Sequence, residues 1–138
     1  MADLKALMKR FNDEVMSQGK MDVIDELVSE DIVEHAAPPG VPPNRDGVKM
    51  FVKTFRDAFP DMKATTVAVV VEGDEAWMQS TITGTHKGEF MGMAPTNKKF
   101  EITAFDRVKF KDDKAVEHWG AEDDMGMMTQ LGLVPDMG

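Results

Sequence analysis

Asp123 stands four residues after Trp119, at the end of a run from Lys114 to Glu122 whose alternation predicts a strand. Strand parity puts Ala115, Glu117, Trp119, Ala121 and Asp123 on one side, and Val116, His118, Gly120, Glu122 and Asp124 on the other. A carboxylate beside an indole in a largely apolar cavity has its ionised form disfavoured, so its pKa climbs toward the range useful for proton transfer at neutral pH. Asp123 is therefore a candidate catalytic acid/base. At a strand-to-helix junction it is also a natural N-cap.

The other candidates follow from the same parity argument. In a second alternating run, Glu75 to His86, Trp77 and Gln79 share a face with Thr81, Thr83 and Thr85, and Trp77, Gln79 and Trp119 are expected to line a substrate pocket. Arg107 shares its face with Thr103 and Phe105, and either offsets an enolate-like charge or forms a surface ion pair. His35, on a loop near the opening, and His86, in the Gly84-Thr85-His86 turn, are secondary pocket candidates. His118 is a reasonable proton shuttle if it faces a pocket, but it lies opposite Trp119, so only one of the two is inside.

Several chemistries are set aside. The three histidines show no metal-ligand spacing, so no metal is expected. No cysteine is present, which removes thiol nucleophiles and disulfides. No GxSxG or Walker pattern occurs, and Gly88 and Gly92 fit no phosphate cradle, so no nucleotide cofactor is expected. Asp106-Arg107 with Asp123 superficially offers the Asp-Arg-Asp set of an epoxide hydrolase, yet adjacent strand residues face opposite ways.

The elements that must carry these residues are legible as periods. Asp3 caps a helix with Leu4, Leu7, Met8, Phe11 and Val15 on one stripe, ended by Gly19. A second helix is expected from about Met21 to Ser29, then a segment from Asp31 to Asn44 in which DIVEH can begin a short strand before four of the seven prolines make it a loop. A third helix carries Val48, Phe51, Val52, Phe55 and Phe59 and stops at Pro60. The period then changes to two: strands are expected at Lys63 to Glu72, Glu75 to His86, Lys98 to Phe110 and Lys114 to Glu122, before a last helix from Asp124 to Leu131 ended by Gly132. Helices first and hairpin-linked strands after is an α+β pattern, one curled sheet over helices.

At 138 residues, one domain spanning 1–138 is expected, with enough chain to bury a core unaided. A formal charge of −9 repels phosphate backbones and anionic membranes and points to a small molecule, not nucleic acid or a membrane, as partner. No leader or long apolar run is seen, which reads as cytoplasmic. Thirteen Met and no Tyr suggest adaptable apolar walls without phenolic handles, or simply Met in place of Leu.

Three stretches carry a family resemblance: FRDAFPDMK at 55–63, TGTHKGEFMGMAPTNKKFE at 83–101 and KAVEHWGAEDDMGMMTQLGLVP at 114–135. The last is the most specific, with Glu117, Trp119, Asp123, Gln130, Leu131 and Gly132 in the family pattern. The chain resembles the SnoaL-like polyketide cyclase (ester cyclase) family of the nuclear-transport-factor-2-like superfold. The resemblance implies a cone-shaped curved antiparallel sheet, a cystatin-like roll, with N-terminal helices closing a pocket. It also implies a homodimer through the outer sheet face and no metal or organic cofactor. In the cyclases, the Asp matching Asp123 is acid/base for an intramolecular aldol closure of a polyketide methyl ester. The sequence departs from the family at Ala121 and Glu122, where bulkier residues are usual, and in lacking any Tyr.

The expected function is a cofactor-independent acid/base enzyme acting on a small, largely apolar carbonyl or ester substrate. The alternatives are a non-catalytic module that binds a hydrophobic small molecule or dimerises, and an epoxide hydrolase- or isomerase-like enzyme, since the superfold hosts several chemistries.

Overall fold

A computed structural model describes residues 3–134; the ends of the expected domain, and Pro135 of the third family stretch, lie outside the described residues. Asp3 caps helix α1, Leu4–Arg10, its Oδ1 accepting from the Lys5 amide. The helix does not run uniformly to Gly19. It widens into a π-helical segment, Phe11–Met16, which turns Asn12, Val15 and Met16 inward. Gly19, at φ +70°, then supplies the left-handed residue that ends the run.

Helix α2 spans Met21–Leu27 and stops before Ser29, because Val28–Glu34 is a strand, β1. Its β-branched Val28, Ile32 and Val33 suit extended backbone, and the free edge of a later strand accepts it. Helix α3, Arg45–Ala58, is capped by Asn44. Strands β2 (Lys63–Glu72), β3 (Glu75–Thr85), β4 (Lys99–Lys111) and β5 (Lys114–Glu122) follow, then helix α4, Asp124–Gln130. The four long strands pair antiparallel, as their hairpin turns require, and β1 adds in parallel to β5, giving the order β1-β5-β4-β3-β2.

One face of this curved sheet takes the helices. Met78 and Ile82 of β3 and Phe100, Ile102, Val108 and Phe110 of β4 are buried there against Met8, Val15, Ile24, Val52 and Phe59. The aromatic stripe of α3 is core: Phe55 and Phe59 pack on Phe90, at 5.1 and 5.3 Å between ring centroids, and Phe59 packs on Phe100. Arg56 pins α3 to the π-helical segment by donating to the carbonyl oxygens of Met16, Ser17 and Met62.

The Gln-Leu-Gly ending of the last helix has a mechanical reading. Gln130 Oε1 accepts from the Glu101 amide at 2.8 Å and Nε2 donates to the Glu101 carbonyl at 3.0 Å, so the side chain pairs with β4 as a strand would. Leu131 is fully buried beside it, and Gly132 closes the helix at φ +73°. No helix among the described residues is long and apolar enough to cross a membrane.

Gly47 tests the seating of the proline-rich loop on α3. A Cβ there would stand 1.6 Å from the Pro42 carbonyl oxygen, a backbone atom that cannot rotate away. Gly47→Ala is expected to lower unfolding free energy by about 2 kcal/mol or more, read as a lower urea midpoint at unchanged slope. An unchanged midpoint would contradict this packing.

Candidate active site

On β4 the inward positions read Phe100, Ile102, Ala104, Asp106, Val108 and Phe110, so a carboxylate interrupts an otherwise apolar row. Register places three β5 residues beside it on the same face: His118 opposite Val108, Gly120 opposite Asp106 and Glu122 opposite Ala104. Glu34, the last residue of β1, is the Cα partner of His118 from the other side. The inner face therefore gathers polar side chains from β1, β4 and β5 in a wall otherwise lined by Met78, Ala104 and Val108.

His118 is the centre of the group. Its Nδ1 lies 2.6 and 2.8 Å from the two carboxylate oxygens of Glu34, and its Nε2 lies 2.7 Å from Asp106 Oδ1. Ionised carboxylates only accept, so both ring nitrogens carry hydrogen and the ring is an imidazolium. Burial works against that charge, but the hydrogen bonds and charges of Asp106 and Glu34 outweigh it and push the pKa up to about 9. Gly120 makes room: a Cβ would come 3.1 Å from both Asp106 Oδ1 and His118 Cε1.

Glu122 follows on the same face. Burial first, then the neighbouring Asp124 and more distantly Asp106, push its carboxyl up to about 7. Gly120 is exposed although its position faces inward, so the sheet is uncovered here and the cluster meets solvent. The surface hollows beside Lys9 and Ser17, and beside Asp61 and Gln130, lie away from it. Deeper in, the π-helical segment aims Asn12 at the sheet: Nδ2 donates to Ser80 Oγ at 2.9 Å and to Thr66 Oγ1 at 3.0 Å.

The residues expected to line the pocket fall elsewhere. Trp77, Gln79, Arg107 and Trp119 all point from the outer face, because the inward register belongs to Met78, Asp106 and His118. There the Arg107 guanidinium lies 3.9 Å from the Trp119 ring centre and 5.3 Å from that of Trp77, and donates to Glu75 at 2.7 Å. His35 stacks on Trp119 at 4.9 Å and pairs with Glu117 at 2.6 Å, also on the outer side.

His86 is wholly buried between Phe59 and Phe90, with Nδ1 accepting from the Thr96 amide, and anchors the β3–β4 connection outside the cluster. Asp123 is exposed and caps α4: Oδ1 accepts from the Gly126 amide at 2.9 Å. A Cβ at Gly126 would stand 2.1 Å from Asp123 Oδ2, so this glycine makes the cap possible. Sequence reasoning gives Glu34 and Glu122 no site role and considers Asp106 only within an epoxide-hydrolase set that it ranks last. The break at Asp106 in an alternating apolar row was the signal available for it.

Residues 6–131 match the profile of the SnoaL-like polyketide cyclase family. Among solved structures, IdmH of Streptomyces antibioticus, described as a candidate polyketide cyclase, is 32% identical, with a TM-score of 0.83 over 95% of this chain and 99% of that one. A candidate polyketide cyclase from Bacillus cereus is 29% identical, with a TM-score of 0.82 over 94% of this chain and 80% of that one. AclR of Streptomyces galilaeus, described as a candidate hydroxylase, is also 29% identical, with a TM-score of 0.80 over 97% and 87%. No curated protein matches the chain.

Linkage gives the cluster a stability signature. A raised folded pKa contributes stability that is present below the unfolded value and lost as pH rises through the folded one. For Glu122 that window runs from about 4.5 to 7, and for His118 from about 6.5 to 9. Unfolding free energy measured in urea is thus expected to decline from pH 5 to 9, and His118→Gln to flatten the upper half alone. An upper limb unchanged in His118→Gln would contradict the imidazolium assignment.

Proposed function

The chain belongs to the SnoaL-like polyketide cyclase family, and from that premise we propose that it is a cofactor-independent acid/base enzyme acting on a small, largely apolar carbonyl or ester substrate. The observation that supports this is the ionisable cluster of Glu34, Asp106, His118 and Glu122 set into an apolar wall and open to solvent at Gly120. Apolar surroundings hold the substrate and strengthen the electrostatics of the groups that move its proton.

The chemistry is that of an activated α-carbon. A carboxylate removes a proton next to a carbonyl; the C–H electron pair passes into an enolate, which attacks a second carbonyl of the same chain. The proton then returns to the new alkoxide oxygen, so the ring closes with no net proton change. In this reading the base comes from the inner face, and Asp123, spent on capping, is not the proton carrier.

A non-catalytic hydrophobic binding module is the second reading. It is favoured by the thioethers of Met8, Met16, Met62, Met78 and Met127 in the core, which give adaptable walls. The epoxide-hydrolase arrangement finds no support, since Asp106 and Arg107 leave β4 on opposite faces.

The proposed macromolecular partner is a second copy of the chain. Val70, Trp77 and Phe105 are 64%, 50% and 54% exposed on the outer face, apolar side chains whose burial against a second copy is favourable. Sedimentation is expected to show a dimer that Phe105→Glu dissociates; a monomeric wild type would contradict outer-face pairing.

Catalysis is tested by α-proton exchange into deuterated water, followed by NMR on a panel of aryl methyl ketones and polyketide-like methyl esters. Wild type is expected to promote exchange, and Asp106→Asn to slow it about 100-fold. Asp123→Asn, which keeps a capping side chain, should stay within a few-fold of wild type. Binding without exchange in the wild type would favour the module reading.

A further inference from the structure

A base in the middle of a sheet works only if its free oxygen is held where substrate can reach it. Exposure falls in order along the contacts of the inner face: the side chain of Asp106 is 30% exposed, that of His118 23% and that of Glu34 10%. Asp106 thus stands nearest the opening beside Gly120, and Glu34 lies deepest. His118 Nε2–H donates to Asp106 Oδ1 at 2.7 Å, and among the described residues no donor reaches Oδ2. That oxygen is left for a substrate.

Glu34 is the fixed end. Its Oε1 accepts from the Ala36 amide at 2.9 Å as well as from His118 Nδ1 at 2.6 Å, and Oε2 stands 2.8 Å from the same ring nitrogen. Its own amide donates to the Pro43 carbonyl at 3.4 Å, which ties the end of β1 to the proline-rich loop. Two carboxylate oxygens on Nδ1 set the position of the imidazole, and Nε2 is the one nitrogen left to hold Asp106. An Asp carboxylate with no such partner turns easily about its last torsion, which is broad; a charge-assisted bond stops it here.

Resting on the acid/base reading above, we propose that Glu34 is a positioning residue: it acts through His118 to keep Asp106 Oδ1 engaged and Oδ2 presented to substrate beside Gly120. The step it serves moves an α-proton from substrate carbon to Oδ2, the C–H electron pair staying on the substrate as the enolate. The proton then passes from Oδ2 to the alkoxide formed on closure. His118 exchanges no proton in this step, since neither ring nitrogen has a free lone pair. The arrangement holds only while the ring is charged. A neutral imidazole donates from one nitrogen and turns a lone pair to the other carboxylate; Glu34, with two oxygens on Nδ1, keeps the remaining hydrogen, and Asp106 loses its hold. Burial opposes the charge, but Asp106 and Glu34 push the ring's pKa up to about 9, so Asp106 stays held throughout the neutral range. Glu122, the next inner-face carboxyl along β5, titrates lower, at about 7.

The test is the pH profile of α-proton exchange on an aryl methyl ketone, corrected for exchange by hydroxide alone, beside ¹⁵N NMR of the His118 ring in ¹⁵N-histidine protein. Wild type should lose exchange at high pH with a midpoint that coincides with that of the His118 signal, near 9; the ring signal also tells this limb from the titration of Glu122. Glu34→Gln keeps an acceptor and removes a charge, so it should move both midpoints down together, by about one unit or more. Its shortfall against wild type then grows about threefold or more between about pH 6 and pH 8.5, whereas a Glu34 that served only folding would cost the same factor at every pH. The wild-type coincidence needs no variant and stands as a test even if Glu34→Gln does not fold. A wild type without the high-pH loss, or midpoints that separate or stay unmoved in Glu34→Gln, overturns the positioning role and leaves the acid/base reading standing. A wild type that exchanges no α-proton overturns both.

Discussion

An imidazolium shared by two carboxylates ties the edge of this sheet to its middle. His118 reaches Glu34 on β1 in one direction and Asp106 on β4 in the other, across a strand pairing that is parallel on one side and antiparallel on the other. Removing either carboxylate leaves a partly buried cation short of a partner, and removing the imidazole leaves two anions facing each other, so the three are kept together. The rest of the inner wall is arranged around this constraint. Gly120 stays small to admit the Asp106 and His118 side chains, and Glu122 is left as the inner-face carboxyl that the cation does not hold.

The sheet presents two chemically distinct faces with one register. At the same β1–β5 contact, Glu34 meets His118 inside while His35 meets Glu117 outside, and the pair of histidines is thereby split between the faces. The outside continues as a ladder of His35, Trp119, Arg107 and Trp77, stacked face on face from the turn after β1 across β5, β4 and β3. A guanidinium between two indoles is held by cation–π attraction and dispersion, which accounts for Arg107 better than an enolate partner does. The inside continues as apolar wall, crossed by the amide of Asn12 from a π-helical widening of the first helix. Such widenings displace side chains from the regular helical face, and here the displaced residue is the one that reaches Ser80.

The periods of the sequence carried the architecture: helix stripes, hairpin turns and alternation gave three helices, four antiparallel strands and a final helix in their places. Of strand β1 only the DIVEH end is legible locally, because its first residues read as the end of α2 and its partner lies some eighty positions later, a long-range parallel pairing with no local signature. Parity separates the two faces of each strand, but the tryptophans orient them the wrong way round. Trp77 and Trp119 are large and apolar, and on composition alone belong inside; with no helix among the described residues against the outer face, they pack on Arg107 instead. The orienting clue was the apolar row from Phe100 to Phe110, which fixes the inward face of β4 and, through register, puts His118 and Glu122 inside. The family motif marked Asp123 as chemical, whereas its carboxylate is committed to the first turn of α4; a motif gives the position of a residue but not which of its possible partners it takes.

The account places a small apolar ligand against the inner face, away from both tryptophans. The most direct measurement is a ¹⁵N–¹H NMR titration of the protein with an aryl methyl ketone, watching the two indole N–H signals together with the backbone amides of Asp106, His118, Gly120 and Glu122. The account predicts saturable shifts at those four amides, with the Trp77 and Trp119 indoles at rest. Shifts confined to the indoles, with the four amides unmoved, would put the ligand on the outer face and contradict it.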